Sequence, residues 1–284
     1  MKTRILAAVA LLPVLLVFVL VLPAWGTAVV FAAASALAAY ELLYTTGLVK
    51  HVRLVVYAML MAVLVNFWCL GQDPNLAMLG LFVYFSLLLT EMLLAHTKLR
   101  FEKLCLCLAA GVLVPYLLGA LVRIRAMYPG MDHSHTTLGK YWILVAFLIA
   151  FVSDSAAYFV GRALGKHRLA PVISPNKTVE GALGGVACTV AALALYALIL
   201  DKACGFTVNY LYTLVYGILG SAAGILGDLS FSVIKRQAGI KDYGKLIPGH
   251  GGILDRFDSM LMIAPLVELL LRTLPLGVWT AGVG

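Results

Sequence analysis

Charge is what this chain lacks most: of 284 residues only 12% are charged and 13 are acidic, against 63% hydrophobic, and the mean hydropathy is +1.00. A soluble fold cannot hide that much apolar surface, so the bilayer must be the main solvent. Metal-ligand spacing is missing among the five cysteines, Cys69, Cys105, Cys107, Cys188 and Cys204, which sit in or beside apolar runs and read as buried thiols. Internal repeats and low-complexity linkers are missing too, so the chain reads as one continuous membrane domain. The net charge of +8 is spread over short loops with little aromatic interleaving, a poor match to a nucleic-acid surface and a good one to membrane topology.

What is present is a succession of apolar runs close to the ~20 residues that span a hydrocarbon core. They lie at about 5 to 24, 26 to 48, 53 to 71, 76 to 95, 104 to 122, 139 to 161, 179 to 200, 208 to 233 and 258 to 280. The expectation is an all-α polytopic protein of about nine transmembrane helices, because isolated strands or loops leave backbone groups unpaired in lipid. Residues 1–135 are expected as N-terminal helices and 136–284 as the region carrying the chemistry. Threading the chain through nine spans puts only Arg123, Arg125, Lys140, Lys202 and Arg272 of the 21 basic residues on the side opposite the N-terminus. Basic loops stay cytoplasmic, so the N-terminus and both long polar loops are expected to face the cytoplasm. The run from Ile5 to Leu22 exceeds the ~7–15 residues of a signal-peptide core and is expected to remain as the first helix.

From residue 150 onward polar residues intrude at intramembrane positions. An ionisable group at a helix centre costs about 2.5–3.5 kcal/mol, so Asp154 and Asp228 should face a partner or a wet cavity. Glu41, Glu91 and Glu268 stand outside any polar cluster and read as carboxylates paired to another helix or placed near a helix end. Trp25, Trp68, Trp142 and Trp279 fall near predicted helix ends, as interfacial anchors do.

Two stretches concentrate chemistry. The first, DLSFSVIKRQAGIKDYGKLIPGHGGILDRFD, runs from Asp228 to Asp258. Asp255 and Asp258 are spaced i and i+3, on one face of a helix starting near Asp255. Either they form an N-terminal charge pair on the helix dipole, or, with Asp228 brought to the same membrane face, they hold a hard cation such as Mg²⁺. Gly251 and Gly252 permit close backbone approach and an anion nest for a phosphate. His250 is either a general acid, a phosphate donor or a solvated loop residue. Lys235, Arg236, Lys241 and Lys245 serve either topology or phosphate contact, with Asp242 as a candidate to orient one of them. The second stretch runs from Asp154 to Gly181 and ends in Ser174-Pro175-Asn176-Lys177-Thr178, followed by Glu180. Thr178 as N-cap with Glu180 in the first turn is one reading; contact of Asn176 and Lys177 with nucleotide or phosphate is the other. Asp154, Tyr158 and Gly161 share a helical face at i, i+4 and i+7 that would line the same cavity, and Arg162 or Lys166 is an alternative partner for Asp154.

The first stretch closely resembles the signature of bacterial-type phosphatidate cytidylyltransferases. Its Ser232, Lys235-Arg236, Lys241-Asp242, Gly244, Pro248, His250-Gly251-Gly252, Asp255-Arg256 and Asp258 match that pattern without departure, and the second stretch resembles the family's other polar region. The resemblance implies that CTP and phosphatidate give CDP-diacylglycerol and pyrophosphate at the cytoplasmic face of the C-terminal helices, in a homodimer in the bacterial inner (plasma) membrane. It further implies catalytic roles for Asp228, Lys235, Arg236, Lys241, His250, Asp255, Arg256 and Asp258, and substrate contacts from Asp154, Ser174, Asn176, Lys177, Glu180, Gly251 and Gly252. Mg²⁺ on Asp228, Asp255 and Asp258, with a second cation such as K⁺, completes the expected site. Two rivals fit less well. CDP-alcohol phosphotransferases place more acidic residues around an Ala-Arg pair, and a secondary transporter would show a repeated pair of broken helices at midplane.

Overall fold

A computed structural model describes residues 21–127, 138–244, 246 and 251–279. Seven helices among them are long and apolar enough to cross a membrane, and each corresponds to one of the predicted runs. They are α1 (Ala24–Tyr40, continued through a π-type turn over Glu41–Thr45), α2 (Val52–Gly71), α3 (Pro74–Leu94), α4 (Phe101–Ala126), α5 (Leu138–Leu164), α6 (Val179–Ala203) and α7 (Tyr210–Gln237). The predicted first run lies almost entirely outside the described residues.

The last run departs from its predicted extent. A single turn, α8 (Leu254–Phe257), precedes it, and the run itself forms α9 (Met260–Thr273) and a short strand, Gly277–Trp279. At 1.5 Å per residue the 14 residues of α9 reach about 21 Å, short of the ~30 Å hydrocarbon core. The stop is local: Leu274 precedes Pro275, which disfavours the helical conformation, and Leu274 adopts φ −132° and ψ 71°. Apolar composition continues beyond Thr273, but helix geometry does not.

Two small antiparallel ribbons join the helices. The first pairs β1 (Arg168–Ala170) with β2 (Ser174–Thr178), and the second pairs β3 (Phe206–Val208) with β4 (Gly277–Trp279). The polar stretch after α5, expected only as a loop, is therefore a strand pair. Within each ribbon the backbone groups that face the partner strand are paired.

The chain forms two compact units: Met1–Lys140 with Ile234–Phe257, and Tyr141–Val233 with Asp258–Gly284. In the first, α1 packs against α2, and small and aliphatic residues of both are buried, among them Ala28, Ala32 and Ala39 of α1 and Leu54, Ala58 and Ala62 of α2. Asn66 of α2 donates to Ser35 of α1 at 2.9 Å, the kind of polar link that small side chains allow between apolar helices. By contrast α3 exposes Leu76, Met78, Leu79, Phe82, Leu93 and Leu94, side chains suited to acyl chains.

In the second unit, α5 and α6 approach closely at glycine. A Cβ on Gly181 would lie 2.6 Å from the Ala157 carbonyl and 3.0 Å from Gly161 Cα, both backbone atoms that cannot swing aside. Gly161, expected on a cavity-lining face, thus sits in a helix contact. Gly181→Ala is expected to destabilise the protein by about 1–3 kcal/mol, the usual cost of overpacking, and thermal unfolding in detergent measures it as a lowered midpoint.

Candidate active site

In the first unit, the chain after α7 folds around the carboxylate of Asp255. This side chain, 3% exposed, accepts from Lys235 Nζ at 2.9 Å, from the Tyr243 N–H at 2.7 Å and from the Gly252 N–H at 2.9 Å. Its Oδ2 thereby bridges residues 243 and 252, clipping the two ends of the segment between them. Lys235 Nζ also lies 5.4 Å from the centroid of the buried Tyr243 ring. The next two amides, Ile253 and Leu254, donate to Glu41 Oε1 and Oε2 at 2.9 and 2.8 Å, so a carboxylate from the end of α1 caps the turn that carries Asp255. Thr45, one turn further along, donates its hydroxyl to the Tyr243 carbonyl.

Glycine is required here on steric grounds. Gly251 has φ +86°, in the left-handed region, and a Cβ on it would lie 2.8 Å from Asp255 Oδ2. A Cβ on Gly252 would collide with the Glu41 carboxylate. The Gly252 N–H, expected in an anion nest for a phosphate, points at the protein's own Asp255. Lys235, expected on substrate phosphate, pairs with Asp255. Arg236, Lys241 and Arg256 are exposed.

In the second unit, Lys177 of β2 donates to Asp228 of α7, and the Ser232 hydroxyl, one turn on, donates to the same carboxylate at 3.4 Å. The ribbon is what brings Lys177 to this position, since β1 and β2 fold the polar stretch back onto itself. Ser174 is half-buried and Asn176 exposed on the same strand. Thr178 caps α6 by accepting from the Gly181 N–H at 3.1 Å. Glu180 accepts from the Lys166 and His167 N–H groups at 3.1 and 3.2 Å and meets His167 Nδ1 at 2.6 Å, so it ties the end of α5 to the start of α6. Asp154 accepts from the Ser259 hydroxyl at 3.3 Å, while Arg162 donates to Tyr158. Asp258 is buried and accepts from the Ser259 N–H at 2.9 Å.

Sequence reasoning thus named both charged pairs' members without naming the pairs, and it missed Glu41, Thr45, Tyr243 and Ser259 as neighbours of site residues. His250 and Lys245 lie outside the described residues. Among the described residues, no group of three or more His, Cys, Asp or Glu side chains is close enough to form a metal cage. Carboxylate oxygens nonetheless suit Mg²⁺, which is commonly held by one or two carboxylates with water and substrate phosphates. In donor type, though not in number, the described carboxylates match such a metal.

The pattern of the cytidylyltransferase family matches residues 2–274, a range that contains every site residue described above. This chain belongs to the cytidylyltransferase family. A phosphatidate cytidylyltransferase of Staphylococcus haemolyticus is 35% identical over 275 residues, covering 95% of this cytidylyltransferase and 99% of the relative. One from Staphylococcus epidermidis is 35% identical over 274 residues, covering 95% and 96%. A third, from Staphylococcus aureus, is 46% identical over 133 residues, 47% of this chain and 50% of the relative. With seven long apolar helices among the described residues, this cytidylyltransferase is a multi-pass membrane protein.

Proposed function

We propose that this cytidylyltransferase transfers the cytidylyl group of CTP to phosphatidate. A phosphate oxygen of phosphatidate attacks the α-phosphorus of CTP, the bond from that phosphorus to the bridging oxygen breaks, and pyrophosphate leaves. CDP-diacylglycerol remains in the membrane. The observation that carries this reading is end-to-end similarity to relatives named for that activity, over a segment whose carboxylates and cations form buried or half-buried pairs.

The lipid phosphate has its second ionisation near neutral pH, so the enzyme's main task is to bring two anions together. Positioning and electrostatic stabilisation supply most of the rate in such transfers. The Lys235 charge is already balanced by Asp255, which leaves the exposed Arg236, Lys241 and Arg256 to meet the departing pyrophosphate. Lys177 holds Asp228 in place beside Ser174 and Asn176, which contact the nucleotide. Asp154, Glu180, Gly251 and Gly252 shape the binding surface, and His250 donates to phosphate or acts as general acid. One or two of Asp228, Asp255 and Asp258, with substrate phosphates, would hold Mg²⁺, which, when bound, neutralises phosphate charge and polarises the α-phosphate. A monovalent cation such as K⁺ is the proposed second ion.

The proposed setting is a bacterial inner membrane, with the N-terminus and the basic loops on the cytoplasmic side, where CTP is available. Phosphatidate enters laterally from the bilayer, and the family resemblance supports a homodimer. Pyrophosphate release from CTP by purified protein tests the reading. Release that requires added phosphatidate, stops on chelation with EDTA and returns with Mg²⁺ is expected. Release indifferent to phosphatidate would overturn it.

A further inference from the structure

Glu41 stands in a predicted membrane span with no polar neighbour in sequence, yet it is buried and aimed at backbone. Its two oxygens take the N–H groups of Ile253 and Leu254, more than 200 residues away in the chain. The π-type turn over Glu41–Thr45, in which the Thr46 N–H reaches back to the Glu41 carbonyl, places Thr45 against the Tyr243 carbonyl at the same time. Such turns recur at functional positions because they re-aim side chains that a regular helix would point elsewhere. Gly244 and Gly252 both lie against the Glu41 carboxylate, with no room for a Cβ at either. Phe31 of α1 meets Phe257 edge to face, with centroids 6.1 Å apart. The end of α1 therefore grips both ends of the segment from 243 to 254 that Asp255 clips from within.

We propose that Glu41, supported by Thr45, is a positioning residue for cytidylyl transfer: it fixes the Gly252-Ile253-Leu254 turn and, through that turn, the orientation of Asp255 and Arg256. This rests on the proposed function of the signature segment. Glu41 touches no substrate in this scheme. Its effect reaches chemistry because a misplacement of about 1 Å in a catalytic group costs roughly 10²-fold in rate.

The test uses the full-length protein in detergent, with Glu41→Gln, Glu41→Ala and Thr45→Val, and with Glu91→Gln as a control. Glu91 is a comparably buried carboxylate that pairs with Tyr57 and Arg53 instead. Turnover with CTP and phosphatidate, the KM for CTP, and hydrogen exchange of the peptide spanning residues 252–256 are measured together. Glutamine keeps one acceptor for the two amides and alanine keeps none. The expected order of kcat is therefore wild type, then Gln, then Ala, with about a 10²-fold loss for Ala. KM for CTP is expected to stay within about threefold, since the loss falls on alignment. Exchange at 252–256 is expected to rise in the same order, and Glu91→Gln is expected to leave it unchanged. If Glu41→Ala does not fold, Thr45→Val decides the matter through the same peptide and a smaller kcat loss. Folded Glu41 variants, or a folded Thr45 variant, with wild-type kcat and wild-type exchange would overturn the proposal. Wild-type protein that makes no CDP-lipid would instead overturn the function, while the exchange data would still report whether Glu41 holds the turn.

Discussion

Asp255→Asn is expected to cost both fold and function: about 3–5 kcal/mol of stability and at least about 10²-fold in turnover. The wild-type carboxylate serves three donors, Lys235 Nζ and the N–H groups of Tyr243 and Gly252. An asparagine of the same shape turns one oxygen into an NH₂ group, which faces donors where an acceptor is needed. The Lys235 ammonium, whose side chain is only 11% exposed, would then face a neutral amide in an environment of low dielectric. Thermal unfolding and steady-state turnover on the same preparation check the two effects. Adding Lys235→Met separates them: the double variant is expected to recover part of the stability, because the buried charge is gone, and none of the turnover. A single variant as stable and active as wild type would mean that this carboxylate neither holds the segment nor takes part in the reaction.

Asp228→Asn is expected to show the opposite balance. Its partner Lys177 and the aspartate are 28% and 26% exposed, so the pair resembles a screened surface pair worth about 0–1 kcal/mol more closely than a buried one. Stability should hardly move. Turnover should fall by about 10²–10³-fold, as when one preorganised electrostatic group is removed from a transition state, and the Mg²⁺ concentration for half-maximal rate should rise. Lys177→Met should also leave stability nearly unchanged and act mainly on the KM for CTP. Kinetics at varied Mg²⁺ and CTP distinguish these outcomes. Full turnover with unchanged Mg²⁺ dependence in Asp228→Asn would remove it from the metal assignment.

The seven long helices were legible because length and hydropathy are local properties, read within one window at a time. The extent of the last run was misjudged for the same reason: hydropathy carries on through Leu276, but Pro275 ends the helix by its effect on Leu274, a steric signal that an apolar window ignores. Asp228, Lys235 and Asp255 were visible as rare charges in an apolar chain. Their partners were not, since pairing across 51 residues between Lys177 and Asp228, or 20 between Lys235 and Asp255, depends on how ribbon and turn fold back. Charge sign and a fixed place in the family pattern pointed Lys235 to a phosphate. Glu41 was harder still. An isolated acid in an apolar run gives no hint that its partners are two backbone N–H groups, which carry no sequence signature. Thr178 and Glu180 were readable as helix-start residues because capping is local, whereas the strand β2 that delivers Lys177 was not, being five residues of Ser, Pro, Asn, Lys and Thr with little strand propensity.

In the proposed reaction the α-phosphate of CTP, and no other, moves to the lipid. Purified protein in detergent with phosphatidate and Mg²⁺ should be given CTP labelled at the α-phosphate in one reaction and at the γ-phosphate in a second, and the chloroform-soluble product counted. Label in the lipid from the α position, with the γ label released as pyrophosphate, is the predicted result. Label in the lipid from the γ position, or none from either with folded protein, would contradict it.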